Sequence, residues 1–131
     1  MGVKYLWDTN TVIYYLQQQF SPSAEKFVDG LVVEARPCIS AITEIELLCW
    51  KTATEADLTV LNSFINDALV IELEQVIKIR TAEIRKHYPK LKLPDAIIAG
   101  TALVYQLTLV TRNAKDFEQV TGLLTIDPWE K

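Results

Sequence analysis

The amino-acid sequence predicts a single α/β domain built on a mostly parallel sheet with helices on both faces. Three observations carry this. Short, almost wholly apolar runs alternate with longer stretches whose apolar residues recur at helical spacing, the pattern of repeated strand–helix units. The 131 residues are half apolar and include 12 aromatics, enough for one real core and too apolar for disorder. No repeat, low-complexity stretch or linker divides residues 1–131.

Each element follows from a local signal. Val3 to Trp7 is β-prone and stops at Asp8. Thr11 to Gln18 places Val12, Ile13 and Leu16 on one helical face. Ser21-Pro22-Ser23 punctuates the chain and can cap a helix from Ala24 to about Val33. Pro37 to Ser40 is a brief apolar strand, and Ala41 to Trp50 follows as a helix with Ile42, Ile45 and Cys49 as its apolar stripe. Thr54-Glu55 opens a helix to about Ala68, and Leu69 to Leu73 is a strand. Gln75 to Tyr88 is an amphipathic helix stopped by Pro89. Asp95 to Gln106 is a helix, Leu107 to Thr111 an apolar strand, Asp116 to Val120 a short helix, and Leu123 to Ile126 the last strand.

Scarcity narrows the chemistry. Four scattered glycines cannot build a P-loop or a G-x-G-x-x-G turn. One histidine, His87, excludes H-E-x-x-H and His-rich zinc sites, and no local signature sets it in a triad. Cys38 and Cys49 form no C-x-x-C pair and no signal peptide precedes them, so the expectation is a cytosolic chain with reduced, buried thiols. Met1-Gly2 lacks the Ser or Thr at position 6 that myristoylation wants. The longest uncharged run, Ala96 to Thr111, is too short to span a bilayer, so no membrane partner is expected.

Attention therefore falls on carboxylates. Ligand-handling groups in such sheets collect beyond the carboxyl ends of the strands. Asp8 follows the first strand, Asp95 opens a helix, and Asp116 comes five residues after Thr111. Each alone reads more readily as a helix cap. Together they would lie along one sheet edge. Glu44 and Glu46 sit about 200° apart around one helix, so only one can face a common site. Glu46 borders the apolar stripe and is the better inward candidate. Four gathered carboxylates repel one another unless a cation neutralises them. All-oxygen donors without His or Cys suit Mg²⁺ or Mn²⁺, one or two ions, and phosphodiester hydrolysis fits such a set.

Four segments carry a resemblance. They are Tyr5-Leu6-Trp7-Asp8-Thr9-Asn10, Ile39 to Leu48, Leu93 to Ala99, and Leu109 to Phe117. In that order and spacing the chain resembles the PIN domain family, most closely the VapC-like toxins of type II toxin–antitoxin pairs. The resemblance implies a three-layer PIN-like fold and a metal-dependent endoribonuclease with Asp8, Glu46, Asp95 and Asp116 as the acidic quartet. It further implies a homodimer, a cognate antitoxin, and an RNA substrate such as tRNA or rRNA. Thr9, Asn10, Thr111 and Asn113 fall on polar motif positions that orient ligands or water, or serve as turn and cap residues. Two departures stand out: Trp7 replaces a smaller aliphatic residue, and Cys49-Trp50 stands where many relatives have an aromatic followed by Gly.

The net charge of −4 hides a basic segment. Within residues 78 to 92, six cations face only Glu83, leaving +5 there and −9 elsewhere. Arg85, Lys86, Lys90 and Lys92, with Arg112 near the last acid, are candidate phosphate contacts or simply solvated charges. Tyr14, Tyr15, Phe20 and Trp50 are core or interaction surface; the sequence does not separate the two. Competing functions are weaker. A haloacid-dehalogenase-like phosphatase wants D-x-D, and Asn10 stands at the third position; a receiver domain wants an acidic pair after its first strand, which is missing. A non-catalytic PIN-like module binding RNA or protein is expected to have lost acids that are all present here.

Overall fold

The computed structural model describes residues 3–131; the Met1-Gly2 start lies outside them. Five strands form one sheet: β1 (Val3–Trp7), β2 (Arg36–Ser40), β3 (Leu69–Ile71), β4 (Thr108–Val110) and β5 (Thr125–Ile126). Their order is β3-β2-β1-β4-β5, and every pairing is parallel. Seven helices connect them: α1 (Thr9–Leu16), α2 (Pro22–Glu34), α3 (Ala41–Leu48), α4 (Glu55–Asp67), α5 (Gln75–His87), α6 (Leu93–Tyr105) and α7 (Ala114–Phe117). A 3-10 turn over Pro128–Glu130 follows β5.

The apolar strand runs are explained by burial on both faces. Successive residues of a strand point to opposite sides, and here Leu6, Cys38 and Leu109 enter one core while Trp7, Ile39 and Val110 enter the other. The first core is roofed by α5 and α6 through Ile77, Ile84, Ile98 and Ala102. The second is roofed by α1, α2 and α4 through Val12, Val28, Leu31, Leu61 and Phe64. This is a three-layer arrangement. Tyr14, Tyr15, Phe20 and Trp50 all pack into or against the second core, joined there by Trp129 of the 3-10 turn.

Local chemistry sets the helix starts. Ser21 caps α2 ahead of Pro22, and Thr54 forms a reciprocal capping box with Asp57 on α4. Gln106 ends α6 in the left-handed region at φ 54°, turning the chain directly into β4.

The structure corrects two sequence expectations. Cys38 is buried and its thiol is pushed up to about 12 by desolvation, but Cys49 is exposed. The stripe expected on α3 is also rotated. Thr43 and Leu47 are buried, whereas Ile45 is 55% and Leu48 63% exposed. Burial follows the side that meets the sheet and α1, and Thr43 takes an inward place that hydropathy alone gave to Ile45.

Candidate active-site cleft

Strand register aligns the site. Trp7 lies opposite Val110, Val110 opposite Ile126, and Leu6 opposite Cys38, so β1, β2, β4 and β5 end at one edge. Asp8 follows β1 at that edge and its backbone N–H donates to the Val110 carbonyl (3.2 Å). The Asp8 carboxylate caps α1, accepting from the Thr11 N–H at 2.9 Å. It is 6% exposed, and burial raises its pKa against hydrogen bonds from Thr11 and Thr111, with the charge of Glu46 adding to the rise.

The other acids are not helix caps. The cap position of α6 is Lys92, and Asp95 sits in the first turn. The cap position of α7 is Asn113, and Asp116 lies inside that helix. Burial raises the pKa of Asp95, followed by the charges of Asp8, Glu46 and Asp116, with Lys92 opposing. That ordering places all four carboxylates within electrostatic reach of one point. Glu46 is held by the Thr9 hydroxyl, which donates to its Oε1 at 2.6 Å.

Glu46, Asp95 and Asp116 share an open cleft of about 770 Å³ whose walls also include Asn10, Lys90, Lys92 and Asn113, whereas the buried Asp8 is not part of those walls. Asn10 and Asn113 therefore reach it from α1 and from the turn after β4. Thr111 is buried beneath, its hydroxyl accepting from the Asn113 N–H at 3.0 Å. Not every sequence candidate arrives. Lys86 is exposed on α5 away from the cleft walls. Arg85 turns back to donate to the carbonyls of Pro89 and Leu91. It thereby fixes the loop that presents Lys90 and Lys92. Arg112 lies over the rings of Trp129 and Tyr14, at 4.7 and 5.7 Å.

Some residues at the site carried no signal strong enough to single them out. Lys115 and Gln119 line the cleft beside Asp116. Beneath Glu46, the Ser40 hydroxyl donates to Thr43 Oγ1 at 3.2 Å, and Thr43 Oγ1 lies 3.2 Å from Thr9 Oγ1, which can accept its proton because Thr9's own goes to Glu46. The spacing Ser40-x-x-Thr43 at a strand–helix junction is the cue that finds this pair.

The donor set fits a hard divalent cation. All four side chains offer carboxylate oxygens, and two of them are buried enough to shift. The one ion pair among the described residues joins Lys4 to Glu34, so none neutralises the quartet. Among the described residues, no three acidic, His or Cys side chains are already drawn together tightly enough to hold an ion. The acids stand around the cleft as separate donors.

Comparisons with known proteins bear on the family and the fold. The PIN domain family matches residues 5–123. The tRNA(fMet)-specific endonuclease VapC of Salmonella typhimurium is 31% identical, over 97% of this chain and 98% of that protein. Among solved structures, DNA-bound VapBC from Salmonella typhimurium superposes with a TM-score of 0.79 at 29% identity, covering 96% of this chain and 98% of that one. A toxin–antitoxin complex from Klebsiella pneumoniae gives a TM-score of 0.74 at 30% identity, covering 95% and 98%.

Proposed function

The chain belongs to the PIN domain family, and on that premise we propose that it is a Mg²⁺- or Mn²⁺-dependent endoribonuclease, the toxin of a toxin–antitoxin pair. The observation that carries this is the anionic cleft. Asp95 is raised by burial and by three other carboxylates, and no ion pair offsets them. The related VapC nuclease makes a structured RNA, with tRNA first, the substrate to try, in the cytoplasm where such RNA is found.

Asp8, Asp95 and Asp116 would hold the ion, with Glu46 holding it or orienting water. When bound, such an ion supplies Lewis acidity, lowers the pKa of a water and offsets charge on the phosphoryl group. The chain's own residues do the rest. Thr9 fixes the Glu46 carboxylate, leaving its second oxygen for water. The Thr11 N–H fixes Asp8 in one orientation. Lys90 and Lys92, at the cleft wall, draw in the phosphate backbone that the acids alone would repel. Asn10 and Asn113 offer amides at the same wall to sugar or phosphate oxygens.

The exposed Ile45 and Leu48 of α3 are the place for a second copy, giving a homodimer. A basic antitoxin segment entering the cleft would satisfy the same carboxylates and silence it.

The direct experiment incubates the purified chain, free of any partner, with tRNA and Mn²⁺ or Mg²⁺, beside an EDTA control and Asp8→Asn. Metal-dependent cleavage lost in Asp8→Asn is expected. Equal cleavage by the variant, or cleavage in EDTA, refutes the mechanism.

A further inference from the structure

One cation near the cleft is restrained and yet unspent. Arg112 stands between Thr111, which hydrogen-bonds toward Asp8, and Asn113, which lines the cleft. The Asn113 N–H bond to the Thr111 hydroxyl fixes this turn on both sides of Arg112. Its guanidinium lies 4.7 Å from the Trp129 ring and 5.7 Å from the Tyr14 ring. Those rings are themselves locked: Tyr14 meets Trp129 edge-on at 5.0 Å, and Phe20 backs Trp129 at 4.7 Å. The Asp127 carboxylate accepts from the Trp129 N–H at 2.9 Å and holds the 3-10 turn in place.

A guanidinium held over aromatic rings in this way spends no N–H hydrogen bond on them. Among the described residues, no carboxylate pairs with Arg112 and no acceptor takes its hydrogen bonds, and the residue is exposed. A guanidinium fixed in direction with its donors unspent is suited to a bidentate anion, above all phosphate. Its position gives that phosphate an origin. Tyr14 lies one helical turn beyond Asn10 on the same face of α1, and Asn10 lines the cleft. Lys90 and Lys92 belong to the loop between α5 and α6, on the opposite face of the sheet. Cations therefore flank the cleft on both faces of the sheet, Lys90 and Lys92 in its walls and Arg112 next to the wall residue Asn113.

Resting on the ribonuclease reading, we propose that Arg112 is a phosphate subsite for the nucleotide adjoining the scissile bond, and that Trp129 is its positioning residue. The RNA strand leaves the acidic cleft along α1 and places its next phosphate against the guanidinium edge. The stacked rings remove the freedom that a surface arginine would otherwise lose on binding.

The test is steady-state cleavage of one RNA over a salt series by wild type, Arg112→Gln, Trp129→Ala and Trp129→Phe, with thermal melts of each. Arg112→Gln leaves the aromatic packing in place. It should raise KM on the order of tenfold, acting on KM rather than kcat, and make the log–log salt dependence shallower by about 0.7, one single-strand phosphate contact. Trp129→Ala should raise KM in the same direction and Trp129→Phe should restore it. An unchanged KM and salt slope for Arg112→Gln, in a preparation whose wild type cleaves, overturns the subsite and leaves the ribonuclease reading standing. A raised KM for Arg112→Gln with an unchanged KM for Trp129→Ala overturns the positioning role. A wild type that neither cleaves nor binds RNA brings down the ribonuclease reading and the subsite together.

Discussion

A carboxylate withdrawn from water without a cation is an electrostatic burden on the fold, and both the buried Asp8 and the half-buried Asp95 impose one. Their folded pKa values are raised, so unfolding returns them to ordinary values near 4. Between those limits the native chain keeps protons that the unfolded chain has lost. The stability these groups contribute is therefore fullest below about 4 and falls as pH rises through the folded values. Two outcomes follow for the metal-free protein. Asp95→Asn should raise Tm more at pH 7.5 than at pH 5, measured by calorimetry; an equal difference at both would show that burial of the charge is not what the substitution relieves. Adding Mn²⁺ at pH 7.5 should raise the Tm of wild type and shift Asp8→Asn far less. Sequence reasoning reached these residues unevenly. Asp8 was legible because it ends a strand, yet its capping bond is also real, so a cap and a proposed metal ligand are here the same group. Glu46 was selected from an apolar stripe that the structure turns outward. What holds it is Thr9, 37 residues away in sequence, a contact that periodicity cannot encode.

At the scale of elements, α5 and α6 pack closely at one point. A Cβ added to Gly100 would stand 2.8 Å from Thr81 Oγ1 and 3.4 Å from the Thr81 backbone nitrogen. Thr81 is β-branched and buried, and its hydroxyl has no hydrogen-bond partner. Gly100→Ala should therefore destabilise by about 1–3 kcal/mol despite the better helix propensity of Ala. Combining it with Thr81→Ala should recover part of that loss; purely additive effects in urea denaturation would mean that the two do not touch. Gly30 is the control. It lies inside α2 with nothing within 4 Å of its added Cβ, so Gly30→Ala should stabilise by up to about 1 kcal/mol. The strands were legible as apolar runs because both faces of the sheet are covered. Their ends moved by a residue or two, and the last strand shrank to Thr125–Ile126. The 3-10 turn at Pro128–Glu130 is absent from the sequence expectations although Asp127-Pro128 is a local start signal; only the packing of Trp129 against the second core could not be read from the sequence.

At the scale of the molecule, the exposed Ile45 and Leu48 should mark self-association. Replacing both by Glu should convert a dimer to a monomer in light scattering without lowering Tm, because neither side chain supports the core; a wild-type monomer at micromolar concentration would remove this part of the proposal. The sheet order also has a consequence in time. β1 is central, flanked by β2 and β4, and β4 begins only at Thr108. While a ribosome is still making the middle of the chain, Asp8 has no Val110 carbonyl to anchor its backbone and no Asp116 to share its cleft. A nascent chain thus carries the first acid early but cannot assemble the quartet until residue 116 has been translated. On the ribonuclease reading, the proposed site is therefore incomplete until Asp116, the last of its four acids, has been made.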